Sequence, residues 1–213
     1  MEIHLNKVMP IPLASIQHGA TSLWGNDAKL LPGKKILLNA SSGKGKSTFA
    51  LTVFGIRTDY TGHILYDGQD IRNYTIDEWA TIRQRKISTV FQDLQLFKNL
   101  TVAENLRLKN QLTDFKTEHE MKTLLQELEI DHKWNDPCGL LSMGQQQRVA
   151  IVRSLCQPFE WLVLDEPFSH LDEQNSKKCL TMIDRESSKQ QAGFVITSLD
   201  DDDRFPYDYE LKL

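Results

Sequence analysis

A chain of 213 residues, 40% hydrophobic and 25% charged, has ample material for a substantial core and fits one domain, or one domain with an inserted subdomain. Its formal net charge of −4 leaves no broad basic footprint, so nucleic-acid binding is not expected. Membrane spans and secretion are not expected either: there is no apolar run of about 18 residues, MEIHLNKVMP lacks a signal-peptide core, and Cys138, Cys156 and Cys179 stand far apart without CxxC spacing, as suits buried thiols in a reducing cytosol.

Residues 2–35 carry short alternating runs such as EIHLNKV and end in the turn Leu31-Pro32-Gly33-Lys34, a pattern of strand and loop. Trp24 suits either a core position or a stacking face for a base. Ile36, Leu37, Leu38 and Ala40 then form a buried-strand pattern, Gly43 and Gly45 bend the chain, and Lys46, Ser47 and Thr48 open an apolar helix over residues 46–56. That is the layout of a phosphate-binding loop built from Ala40, Ser41, Ser42, Gly43, Lys44, Gly45, Lys46, Ser47 and Thr48. Glycines let successive N–H groups turn inward around an anion, and the helix adds its positive N-terminus. Lys46 reaches the β- and γ-phosphates of a nucleoside triphosphate, and the Ser47 hydroxyl ligates Mg2+. Ala40 stands where GxxxxGK[ST] opens with glycine, a change that costs little unless the position needs a positive φ.

Beyond the loop, HILYDGQDI reads as a strand with a turn at Asp67-Gly68, residues 76–85 as a helix and ISTVF, residues 87–91, as a second buried strand. From Thr101 to about Gln157 the period becomes helical, with Met121, Leu124, Leu125 and Leu128 on one stripe. Strands resume at WLVLD (161–165), GFVIT (193–197) and the final YELKL, so the chain reads as α/β with a largely parallel sheet. WLVLD ends in Asp165 and Glu166, and acids at the carboxyl end of a buried strand can sit beside a phosphate loop. Asp165 is then a metal-binding carboxylate and Glu166 a base for an attacking water.

Leu141-Ser142-Met143-Gly144-Gln145, continuing as QQRVAIVRSL, resembles the LSGGQ signature of ATP-binding cassette (ABC) transporters. Val90-Phe91-Gln92-Asp93 resembles their Gln loop and Ser169-His170-Leu171-Asp172 their D-loop, each in the family's order. The resemblance covers most of residues 36–198 and implies a P-loop nucleoside triphosphate hydrolase fold with a β-rich N-terminal lobe and a helical subdomain at 98–158. It implies a nucleotide-binding subunit that works as a head-to-tail homodimer or heterodimer. Each ATP would lie between one chain's phosphate loop and Ser142, Gly144 and Gln145 of the other, with Asp172 organising the interface. Gln92 would sense the γ-phosphate and Mg2+, and a separate transmembrane permease would hold the subunit on the cytoplasmic face of the membrane. The segment from Val90 to Leu106 resembles subunits serving lipoprotein release, macrolide export or cell division, and also amino-acid importers.

Two departures stand out. Met143 replaces the first signature glycine, and Ser198 occupies the place of the switch histidine, with no histidine after His170 to take its part. A serine hydroxyl is shorter and carries no positive charge, so hydrolysis is expected to be slow, or completed by a non-identical partner. An ATP-gated dimerising switch with little turnover is the alternative reading. The run Asp200 to Asp203 reads as a solvated charge cluster. The chain ends soon after its last strand, so a regulatory domain is not expected. Soluble cassette proteins of DNA repair or translation fit less well, because coiled-coil insertions and tandem cassettes exceed this length.

Overall fold

The computed structural model describes residues 1–41, 43–199 and 205–213. Ser42 of the glycine-rich loop and the run Asp200 to Asp203 lie outside the described residues. Alternation in the first strand sends Ile3 and Leu5 inward, and both are fully buried. This strand, β1 (Ile3–Pro10), pairs antiparallel with β2 (Asp27–Leu30). The chain then enters a second sheet as β3 (Lys35–Asn39), passes through the glycine-rich loop into α1 (Lys46–Val53), and returns as β4 (Tyr60–Tyr66) and β5 (Gln69–Asp70). The β4–β5 connection turns at Asp67 and Gly68, both at positive φ, so the HILYDGQDI run is a hairpin. The first sheet has the order β2-β1-β4-β5. Helix α1 ends at Val53, earlier than residue 56, because the chain turns over at Gly55 with φ +69°.

Helix α2 (Ile76–Arg85) and β6 (Ile87–Val90) follow, and the helical period of the middle segment forms α3 (Val102–Asn110), α4 (Glu118–Glu127) and α5 (Met143–Ser154). Thr75, Thr101, Thr117 and Ser142 each cap a helix in a reciprocal capping box, with Glu78, Glu104, Glu120 and Gln145 reaching back. The chain then completes β7 (Trp161–Asp165), α6 (Glu173–Lys189), β8 (Gly193–Ser198) and β9 (Tyr209–Lys212). The second sheet is parallel throughout, in the order β6-β7-β8-β3-β9.

Both faces of the parallel sheet are covered, which is why its strands read as continuous apolar runs. Leu37, Leu162, Leu164, Phe194 and Ile196 pack with the helical stripe of Met121, Leu124, Leu125 and Leu128. Ile36, Leu38, Trp161, Val163 and Val195 pack with β1, Trp24 and Phe49 on the other face. The three cysteines are buried and unbridged; burial pushes the Cys138 thiol up to about 11 and those of Cys156 and Cys179 to about 12, as expected of inert core thiols. Among the described residues no helix is long and apolar enough to cross a membrane.

The segment leading into α4 is tied to α6 by an ion cluster centred on the buried pair Lys116 and Glu186. Lys116 Nζ lies 2.9 Å from Glu186 Oε2, while Lys189 and Arg185 approach Oε1 at 2.7 and 3.2 Å. Burial raises the Glu186 carboxyl, but hydrogen bonds from Lys116 and Lys189 and the surrounding cations outweigh it and hold the group at about 2. A carboxyl depressed by folding stabilises fully above its ordinary value of 4.5 and loses that contribution as pH falls toward 2. Thermal midpoints of the wild-type chain are therefore expected to drop over that window. Glu186→Gln should flatten the drop and, by leaving Lys116 buried without its carboxylate, cost about 3 kcal/mol at neutral pH in denaturant titrations.

Candidate nucleotide site

Strand β3 delivers the chain to the loop from between the buried β8 and the edge strand β9. Gly43 and Gly45 take positive φ values of +79° and +102°, and Gly45 caps α1 in the left-handed region. A Cβ at Gly45 would lie 2.4 Å from Leu13 Cδ1, so the close packing above the loop also requires glycine. Ala40 is not among the residues with positive φ; its carbonyl accepts a hydrogen bond from Lys46 Nζ at 2.8 Å, and alanine is tolerated there. The first N–H groups of α1 have no partner within the helix, as at any helix start. They open onto a cavity of about 250 Å3 lined by Leu13, Gly43, Gly45, Lys46, Ser47, Thr48, Gln92 and Glu166.

Lys46 is only 6% exposed, and its ammonium is 3.3 Å from Glu166 Oε1. Ser47 Oγ donates to Gln92 Oε1 at 3.1 Å, closing the opposite side of the cavity. Asp165 ends β7 beneath these groups, 2% exposed. Burial raises its carboxyl above the ordinary range, opposed by the nearby Ser47 and Thr197 hydroxyls. The structure thus brings Lys46, Ser47, Gln92, Asp165 and Glu166 together. Ser41 lies at the base of the loop, where its carbonyl is 3.4 Å from Lys46 Nζ, and Lys44 points outward to the Gln17 carbonyl at 3.0 Å.

Ser198 ends β8 opposite Asn39, and its carbonyl accepts from Ala40 N–H at 3.2 Å; it is not among the residues that line the cavity. Ser142, Gly144, Gln145 and Asp172 do not line the cavity. Ser142 caps α5 with its hydroxyl exposed to the surface, and Met143 beside it is 48% exposed. Asp172 is an exposed cap of α6, accepting from Asn175 N–H at 2.8 Å.

Several supporting residues escape a reading of motifs. Thr197, one strand over from Asp165 in register, donates to Asp165 Oδ1 at 2.8 Å and accepts from Glu166 N–H at 3.0 Å. A hydroxyl closing an otherwise apolar strand, GFVIT, was its only local signal. Trp24 belongs to the core: it is 2% exposed, and its Nε1–H donates to the Lys44 carbonyl at 3.2 Å, bracing the loop from behind. Leu13, in the proline-flanked IPL turn, supplies the apolar wall of the cavity.

A family model described as "ABC transporter" matches residues 25–169. The lipoprotein-releasing system ATP-binding protein LolD of Buchnera aphidicola is 32% identical over 176 residues, which are 81% of this chain and 76% of LolD. The macrolide export ATP-binding/permease protein MacB of Syntrophobacter fumaroxidans is 32% identical over 184 residues, 84% of this chain, but the match spans only 26% of MacB. Among solved structures, the dimeric bacterial ABC transporter cassette MJ0796 superposes with a TM-score of 0.77 at 25% identity, covering 92% of this chain and 87% of that one. The same cassette in a dimeric post-hydrolysis state with ADP and Pi gives a TM-score of 0.75. The chain belongs to the ABC transporter family, as one of its ATP-binding cassettes, the ATPases of that family.

Proposed function

We propose that the chain binds and hydrolyses Mg-ATP as the nucleotide-binding subunit of a transporter, on the cytoplasmic face of a membrane that it reaches through a separate permease. The observation that carries this reading is the single cavity in which Lys46 meets Glu166 at 3.3 Å and Ser47 meets Gln92 at 3.1 Å, at the glycine-rich start of α1. The α1 N–H groups and Lys46 would hold the phosphates, with Gln92 also facing the γ-phosphate. On binding, the Lys46 ammonium exchanges the Glu166 carboxylate and the Ala40 carbonyl for phosphate oxygens, which frees Glu166. Glu166 then accepts a proton from water as the water oxygen bonds to the γ-phosphorus and the bond to the bridging oxygen breaks, leaving ADP and phosphate.

The donors around Asp165 suit Mg2+. Ser47 hydroxyl, Gln92 amide oxygen and Asp165 carboxylate are hard oxygen ligands, and the raised Asp165 carboxyl is a buried acid whose charge a cation would stabilise. When bound, Mg2+ neutralises phosphate charge. Ser142, Gly144, Gln145 and Asp172 sit away from the cavity on exposed helix starts, an arrangement suited to closing on nucleotide held by a second cassette. The segment 98–158, with α3, α4 and α5, would act as the helical subdomain that docks the permease. Closure on ATP and reopening after hydrolysis would supply the stroke.

Ser198 at the histidine position lowers the expected turnover, because one transition-state contact is weakened. Phosphate release by the purified chain should be slow, and Ser198→His should raise it by roughly 10-fold or more. Fast release by the unsubstituted chain, with little change in Ser198→His, would show that serine is no handicap; ATP binding without any release from either would favour the ATP-gated switch.

A further inference from the structure

We infer that Gln147 is a positioning residue for Glu166: a buried glutamine by which the helix starting at Ser142 holds the backbone of the carboxylate-bearing loop. The inference rests on Glu166 acting as the base. Gln147 lies in α5 and is 1% exposed, an expensive place for an amide unless each polar atom is bonded. Its Nε2 donates to the Glu166 carbonyl at 3.1 Å and to Ser169 Oγ at 3.3 Å, and its Oε1 accepts from His170 N–H at 3.0 Å. All three partners belong to the short connection between β7 and α6.

The position gripped is a strained one. Glu166 has φ +48°, the left-handed region, which costs a residue with a side chain about 1–2 kcal/mol and persists only where neighbours enforce it. Its N–H is held by Thr197 Oγ1 at 3.0 Å from the sheet side, and its carbonyl by Gln147 from the helix side. One turn before Gln147, a Cβ on Gly144 would come within 2.8 Å of the His170 carbonyl, so α5 rests directly on this loop. Arg148, the next residue, donates to Asn175 Oδ1 at 3.2 Å, and Asn175 in turn bonds Asp172. The start of α5 is therefore joined to the base on one side and to the cap of α6 on the other.

Gln147→Leu is expected to fold, because the Glu166 carbonyl also accepts from Ser169 N–H at 3.3 Å and leucine fills a similar volume. Gln147→Leu should therefore act on the direction of the Glu166 carboxylate. Steady-state phosphate release by the full chain with Mg-ATP is expected to lose kcat by about 10- to 100-fold, the scale of a small misplacement of a reacting group. KM and ATP affinity by calorimetry should stay within about twofold. Amide hydrogen exchange should quicken across Glu166 to His170, most at His170 N–H. A folded Gln147→Leu chain with unchanged kcat, or one in which kcat and ATP affinity fall together, would overturn the inference. Should the unsubstituted chain bind ATP and release no phosphate, the hydrolysis reading fails by itself. Exchange then decides the positioning role: unchanged protection over Glu166 to His170 overturns it, and faster exchange supports it.

Discussion

Replacing Glu166 with glutamine is expected to lower ATP hydrolysis by roughly 100- to 10,000-fold, the usual worth of a positioned general base, while leaving ATP bound between two chains. The amide matches the carboxylate in shape but cannot take a proton from water. Its backbone supports, Thr197 Oγ1 and Gln147 Nε2, are untouched, so the loop keeps its place. The substitution also removes the ion pair of Glu166 with Lys46 at 3.3 Å, leaving the ammonium free for phosphate, which favours the bound state. Phosphate release and light scattering in saturating Mg-ATP measure the two halves of the effect. A Glu166→Gln chain that hydrolyses normally would remove Glu166 as the base, and one that stays monomeric would remove the main support for nucleotide enclosed by two chains.

The second large effect is expected at Lys46. Lys46→Ala should weaken Mg-ATP binding by on the order of 100-fold, about 2.7 kcal/mol, as measured by calorimetry or a fluorescent nucleotide. The lysine is nearly buried at 6% exposure and is the cation among the residues lining the cavity. Without it, Glu166 faces the phosphates as an uncompensated anion, so repulsion adds to the lost charge-assisted bonds. Lys46→Arg should restore little, since a planar guanidinium is bulkier than the compact ammonium that fits against the Ala40 carbonyl. Affinity within a few-fold of the unsubstituted chain in Lys46→Ala would mean that the α1 N–H groups alone hold the phosphates.

Much of this architecture is legible along the chain because its signals are local. WLVLD is strand β7 from end to end, and the stripe of Met121, Leu124, Leu125 and Leu128 is buried where the helical period places it. Ser142 and Gln145, three residues apart at a helix start, form a reciprocal capping box. Gly43, Gly45 and Lys46 announce their conformation and chemistry within a few residues, since a positive φ and a helix N-terminus are properties of short segments.

The other half of the site is not local. Thr197 meets Asp165 because β8 lies beside β7 in a register that pairs those two residues, a relation set by the packing of both sheet faces. Gln147 reads as one more polar residue in a run of glutamines until α5 is laid against the loop after β7. Trp24 satisfied two readings until the fold buried it behind Gly45. Sequence by itself determined which groups could bind phosphate, cap a helix or take a proton, because backbone freedom and side-chain chemistry travel with each residue. Only the tertiary structure decided that Lys46 meets Glu166, that Ser47 meets Gln92, and that Thr197 and Gln147 hold Glu166 in its left-handed turn, because such contacts join segments far apart in the chain and depend on strand order and helix packing.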